Sequence, residues 1–146
     1  MKVEVRYQSR GGNTRAVAEE ISDVMETQAE SIEVPLMGYT DILFIGGGVY
    51  GWGSDKALKK YLQALNRQQV GIIVAFSTSG GITATIKKIR ECAVKADIPV
   101  YEEDFCLRMM LQGHSALGLE GGHLKPMQIE EICEFAWKAK ADLGIS

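Results

Sequence analysis

Between Tyr7 and Val17 the hydrophobic period of the chain changes from that of a strand to that of a helix, across the polar loop Ser9-Arg10-Gly11-Gly12-Asn13-Thr14. Val3, Val5 and Tyr7 alternate with Lys2, Glu4 and Arg6, whereas Val17, Ile21 and Val24, with Met25 beside them, recur at helical spacing. A chain that turns this abruptly sets its loop on a helix N-terminus. Unpaired backbone N–H groups and the positive end of the helix dipole converge there, and an anion satisfies both. Adjacent glycines let the backbone curl closely around such an anion, and Ser9, Asn13 and Thr14 add side-chain donors. Taken alone, the loop fits two readings: an anion cradle of this kind, or an ordinary turn capped by Asn13 or Thr14.

The rest of the chain limits the choice. Its 146 residues fit a single domain over 1–146, with one core and a layer of helices on either side. No apolar run approaches the roughly 20 residues that cross a membrane, and the N-terminus lacks a signal-peptide core, so a cytoplasmic protein is expected. Cys92, Cys106 and Cys133 are odd in number and widely spaced, which points to reduced thiols packed as small apolar groups. His114 and His123 lie too far apart for a local metal pair, and no metal site is expected. A net charge of −3 leaves no general basic footprint for nucleic acid, and Lys87, Lys88 and Arg90 read as the solvated face of a helix.

Further strands are predicted at 31–34, closed by Pro35, at 41–45, ending in Gly46-Gly47-Gly48, at 70–76, ending in Ser77-Thr78-Ser79-Gly80-Gly81, and at 98–107, interrupted by Glu102-Glu103-Asp104. Helical stripes fall at Leu58, Tyr61, Leu62 and Leu65 after a cap at Ser54 or Asp55, at Ile82, Ile86, Ile89 and Ala93, and at Ile129, Ile132, Cys133 and Ala136 after Pro126. Five strands alternating with four helices make a doubly wound parallel sheet, whose ligands bind at the carboxyl ends of the strands. Three polar or glycine-rich segments, after the first, third and fourth strands, fall at that edge. The charges on Lys2, Glu4 and Arg6 fit an inner strand poorly. Gly46 to Gly51 satisfies G-x-G-x-x-G, but Trp52-Gly53-Ser54-Asp55 separates it from the next helix and no acidic residue stands at the ribose position, so a dinucleotide site is not expected. No segment reads G-x-x-x-x-G-K-S/T, and Tyr7-Gln8-Ser9 lacks the aspartate of a phosphoacceptor domain.

The loop Ser9-Arg10-Gly11-Gly12-Asn13-Thr14 resembles the S/T-x-T-G-x-T phosphate loop of flavodoxins, and Gly46-Gly47-Gly48-Val49-Tyr50-Gly51 and Phe76-Ser77-Thr78-Ser79 resemble that family's two flavin-flanking loops. The resemblance covers nearly the whole chain. It implies a flavodoxin-like three-layer α/β/α sandwich with a five-stranded parallel sheet in the order 2-1-3-4-5, and FMN as cofactor. Ser9, Arg10, Gly11, Gly12, Asn13 and Thr14 would wrap the FMN phosphate, Arg10 adding a charge-assisted contact. Val49, Tyr50, Gly51 and Trp52 would lie along the ring, with Tyr50 and Trp52 as aromatic covers and Gly51 as the residue whose peptide turns on reduction. Ser77, Thr78, Ser79 and Gly80 would meet its polar edge. Gly11 stands where the family has threonine, the loop after the fourth strand lacks a covering tyrosine, and the fifth strand carries no long insertion, as in a short-chain member.

The function so implied is electron transfer between redox partner proteins by a monomer or weak dimer. The alternatives are an NAD(P)H-dependent FMN oxidoreductase of the quinone reductase type, or a flavodoxin-fold module that has lost FMN. With Asp55 as the one acidic residue near these loops, only a mild lowering of the flavin potential is expected.

Overall fold

Val3–Gln8 forms strand β1, and the chain crosses the polar loop into helix α1, Asn13–Met25. A three-residue strand β2 follows at Ala29–Ser31, then β3 at Thr40–Tyr50, β4 at Gly53–Ser54, helix α2 at Lys56–Ala64, β5 at Val70–Ser79, α3 at Ala84–Lys95, β6 at Phe105–Arg108 and α4 at Pro126–Asp142. The computed structural model describes residues 1–50, 53–79, 83–109 and 121–146, the side chains of Tyr50 and Ser54 excepted.

Five strands pair in parallel in the order β2-β1-β3-β5-β6, and β4 adds a short antiparallel partner to the end of β3. Counted without β4 the order is 2-1-3-4-5, the doubly wound arrangement read from the sequence. Alternate residues of β3 feed two cores. Ile42 and Phe44 pack with α1 and α4, while Leu43 and Ile45 pack with α2 and α3. Both faces of the strand are covered, which is why its apolar run is continuous. Each such side chain withdrawn from water contributes about 1.5–3 kcal/mol. Phe105 stacks on Phe135, ring centroids 5.2 Å apart, to seat α4 against β6.

The charged side of β1 has a specific cover. Arg6 is 3% exposed on a strand paired on both edges. Its guanidinium donates to Glu4 Oε2 at 2.8 Å and to the carbonyls of Val5, Val34 and Pro35. Backbone carbonyls from the segment after β2 thus take the place of an apolar lid, and the ion pair keeps both charges satisfied. Lys2 Nζ donates to the Met37 carbonyl of the same segment.

Several boundaries differ from the sequence reading. β2 lies at Ala29–Ser31 rather than 31–34, because pairing with β1 fixes Val5 opposite Ala29 and Tyr7 opposite Ser31, and the chain then turns. β3 runs on through Gly46-Gly47-Gly48, and β5 through Ser77, Thr78 and Ser79, since the two strands pair there residue by residue up to Gly48 and Thr78. The segment 98–107 is not one strand: Val100 makes an isolated bridge with Ile73, and regular pairing resumes only at Phe105. Among the described residues no helix is long and apolar enough to cross a membrane. Cys92 is buried, and Cys106 and Cys133 are half-buried free thiols.

Candidate functional site

Gly12 is the N-cap of α1 at φ 96° and ψ −9°, and among the described residues no side chain caps the helix. A residue with a Cβ adopts this left-handed conformation at a cost of about 1–2 kcal/mol, so the position suits glycine. The Gly12 carbonyl accepts the Ala16 N–H at 3.0 Å, and the Gly12 N–H donates to Ser9 Oγ at 3.0 Å. Ser9 therefore closes the loop and keeps its own hydroxyl proton for another acceptor. Asn13 and Thr14 are not caps: both lie inside α1. Asn13 Oδ1 accepts the Gly122 N–H at 2.9 Å, and the Thr14 hydroxyl meets that of Thr78 at 2.8 Å. The first turn of α1 holds no acidic residue, so its dipole end is not neutralised from within the helix.

Arg10 reaches across the site to α2. Its Nε and one terminal nitrogen donate to Asp55 Oδ2 at 2.9 and 2.7 Å. Asp55 is also the N-cap of α2, its other oxygen accepting the N–H groups of Ala57 and Leu58. Burial works against a charge on Asp55, but the bonds from Arg10, Ala57 and Leu58 outweigh it and hold the carboxyl below its ordinary value. One carboxylate thus ties the first loop to the start of α2.

The glycine run of β3 is a packing device. A Cβ on Gly46 would stand 2.4 Å from the Phe76 ring, and one on Gly47 would stand 2.6 Å from Leu58 Cδ2. Both glycines are paired within the sheet, which agrees with rejecting a dinucleotide loop here. Gly48 offers its carbonyl to the Thr85 hydroxyl at 2.6 Å, fixing the start of α3. Ser77 and Thr78 are buried in β5, the Ser77 hydroxyl donating to Cys106 Sγ at 3.3 Å. The Ser79 carbonyl accepts the Met109 N–H at 2.9 Å. Val49 pairs with Ser54 in the β3–β4 ladder. Gly51, Trp52, Gly80 and the side chain of Tyr50 lie outside the described residues, as do Ile82 and His114.

Two contributors escaped the sequence reading. Asp55 was read as a cap and as the nearest acidic residue, but not as the partner of Arg10, which stands 45 positions away in the first loop. Gly121 and Gly122 lie against the first loop, a Cβ on Gly121 falling 2.0 Å from the Gly11 carbonyl oxygen. The doubled glycine before α4 was the visible signal for close backbone approach. Among the described residues no group of three or more His, Cys, Asp or Glu could hold a metal ion. The donor set at the first loop suits a phosphate monoester: a hydroxyl, an uncapped helix start and no carboxylate in the first turn.

The parallel order 2-1-3-4-5 with helices on both faces and a polar loop at the carboxyl edge defines the flavodoxin-like class of α/β proteins. Residues 5–130 match the model of the flavodoxin domain, and the chain belongs to that family. It is similar to a flavodoxin from the domain Archaea, with 24% identity and a TM-score of 0.71 over 96% of this chain and 99% of that one. It is also similar to a short-chain flavodoxin associated with a non-canonical PDU bacterial microcompartment, at 13% identity and a TM-score of 0.63 over 93% and 95% of the two chains. An apo NADH:FMN oxidoreductase aligns at 14% identity with a TM-score of 0.64, over 100% of this chain and 91% of its own. No curated protein matches the chain by sequence.

Proposed function

We propose that this chain binds FMN by its phosphate at Ser9–Thr14 and carries electrons between redox partner proteins. The observation that carries the reading is the start of α1: a left-handed Gly12, no side-chain cap among the described residues and no acidic first-turn residue, at the carboxyl edge of a flavodoxin-family sheet. Bound FMN supplies the electron-accepting group, and the protein supplies binding, orientation and electrostatics. Ser9 and the N–H groups of the first turn of α1 hold the phosphate. Gly12 lets the backbone curl beneath it. Asp55 holds the Arg10 guanidinium beside the loop, and the Thr14–Thr78 contact keeps the loop in register with the end of β5.

The test is the visible absorbance of the purified protein with added FMN, followed by anaerobic addition of NADH or NADPH. Flavin bands that persist after the nicotinamide support a carrier. Rapid bleaching makes the protein an NAD(P)H-dependent oxidoreductase instead, and the absence of bands with FMN present makes it a fold that has lost the flavin.

A further inference from the structure

The net charge of −3 conceals an uneven surface. Helices α2 and α3 together carry seven basic residues and one acidic, a net +6. Helices α1 and α4, on the other side of the sheet, carry three basic and seven acidic, a net −4. Arg90 is bound to Asp104 and Lys88 to Glu91, whereas Lys56, Lys59, Lys60, Lys87 and Lys95 have no ion-pair partner among the described residues.

Between α2 and α3 lies a groove of about 380 Å³ walled by Lys59, Lys88 and Lys95. Leu65 and Cys92, each 8% exposed, supply apolar lining. Glu91 stands among the three lysines with its carboxyl held below the ordinary value, Lys88 as the largest cause and Lys95 and Lys59 adding to it. One carboxylate for three ammonium groups leaves the groove short of negative charge.

We propose that this groove docks an acidic segment of a partner protein, glutamates or aspartates meeting Lys59 and Lys95 and an apolar side chain entering beside Leu65. Three features favour that occupant. The apolar lining has no use for a phosphate backbone, and Glu91 would repel one, while a peptide can offer Glu91 an N–H. A second copy of this chain would have to set its acidic α1–α4 side on the α2–α3 side of its neighbour, a heterologous contact that builds rings or open chains rather than a two-fold dimer. The groove lies toward the C-terminal ends of α2 and α3, and those helices begin at the sheet edge where the first loop stands, so a docked segment leaves Ser9–Thr14 open.

The test titrates the full-length protein with a short synthetic peptide in which glutamates flank leucine, followed by amide chemical shifts, with a DNA duplex and phosphatidylserine vesicles as parallel probes. Shifts concentrated at Lys59, Glu91 and Lys95, weakening with added salt, are expected. The double variant Lys59→Glu with Lys95→Glu should lose about tenfold in affinity. Both positions are exposed, so its thermal midpoint should stay that of the parent, and the salt dependence of the parent tests the proposal even if the variant fails to fold. Shifts located elsewhere, tighter binding of the duplex or the vesicles, self-association through the same lysines, or no peptide binding would each overturn it.

Discussion

The hydroxyls of Thr14 and Thr78 meet at 2.8 Å, joining the first turn of α1 to the end of β5 across 64 positions of sequence. Both residues are buried, at 1% and 7% exposure. Thr14→Val or Thr78→Val alone leaves the other hydroxyl without its partner, and each should cost about 1–3 kcal/mol in chemical denaturation. The double variant removes both groups and should cost less than the sum of the two. Strict additivity would show that the contact does not couple the two segments.

Asp55 predicts a pH signature. Its folded value lies below the ordinary 3.8, so the stability from its ionised form is complete above that value and is lost as pH falls through the folded one. Asp55→Asn keeps a good N-cap for α2 but removes the charge facing Arg10. The stability gap between parent and Asp55→Asn should therefore be constant near neutral pH and shrink below 3.8. A gap that widens on acidification contradicts the assignment. Asp55→Ala, which also loses the cap, should cost about 1 kcal/mol more than Asp55→Asn by thermal unfolding.

Gly46 and Gly53 should respond differently to the same change. A Cβ on Gly46 meets the Phe76 ring at 2.4 Å and the Phe76 carbonyl at 2.6 Å, whereas a Cβ on Gly53 meets nothing within 4 Å among the described residues. Gly46→Ala should destabilise by about 1–3 kcal/mol or more. Gly53→Ala should stay within about 0.5 kcal/mol of the parent. Equal effects in urea titrations would contradict the packing of β3 on β5.

The change of period at Ser9–Thr14 marked both the end of β1 and the start of α1, because side chains on the two elements report their own geometry. The same information failed where backbone atoms decide. Arg6 looked misplaced on an inner strand because its cover consists of the carbonyls of Val34 and Pro35, which have no side-chain signature. The glycine run looked like the end of a strand, yet Gly46 and Gly47 lie within β3 since Phe76 and Leu58 occupy the space their side chains would need. Val100 and Phe105 read as one strand, but the acidic residues between them leave the sheet. The Arg10–Asp55 pair was invisible because nothing local links a loop residue to a cap on another helix.

Gly121 offers a way to disturb the loop from a distance. Its Cβ position lies 2.0 Å from the Gly11 carbonyl oxygen and 3.0 Å from Asn13 Oδ1. Gly121→Ala must push the segment before α4 or the first loop aside, and on the FMN reading it should weaken FMN by about tenfold while Gly144→Ala, with nothing among the described residues within 4 Å of its Cβ position, leaves FMN affinity unchanged. Fluorescence titration with FMN checks both variants.

Phosphate binding at the first loop is tested by comparing FMN with riboflavin, which lacks that group, in equilibrium titrations of the flavin-free protein. Two charge-assisted hydrogen bonds at about 1.5 kcal/mol each correspond to roughly a hundredfold difference in affinity. FMN should bind one per chain and at least about a hundredfold more tightly than riboflavin. Equal affinity for the two flavins, or no binding of either, would contradict it.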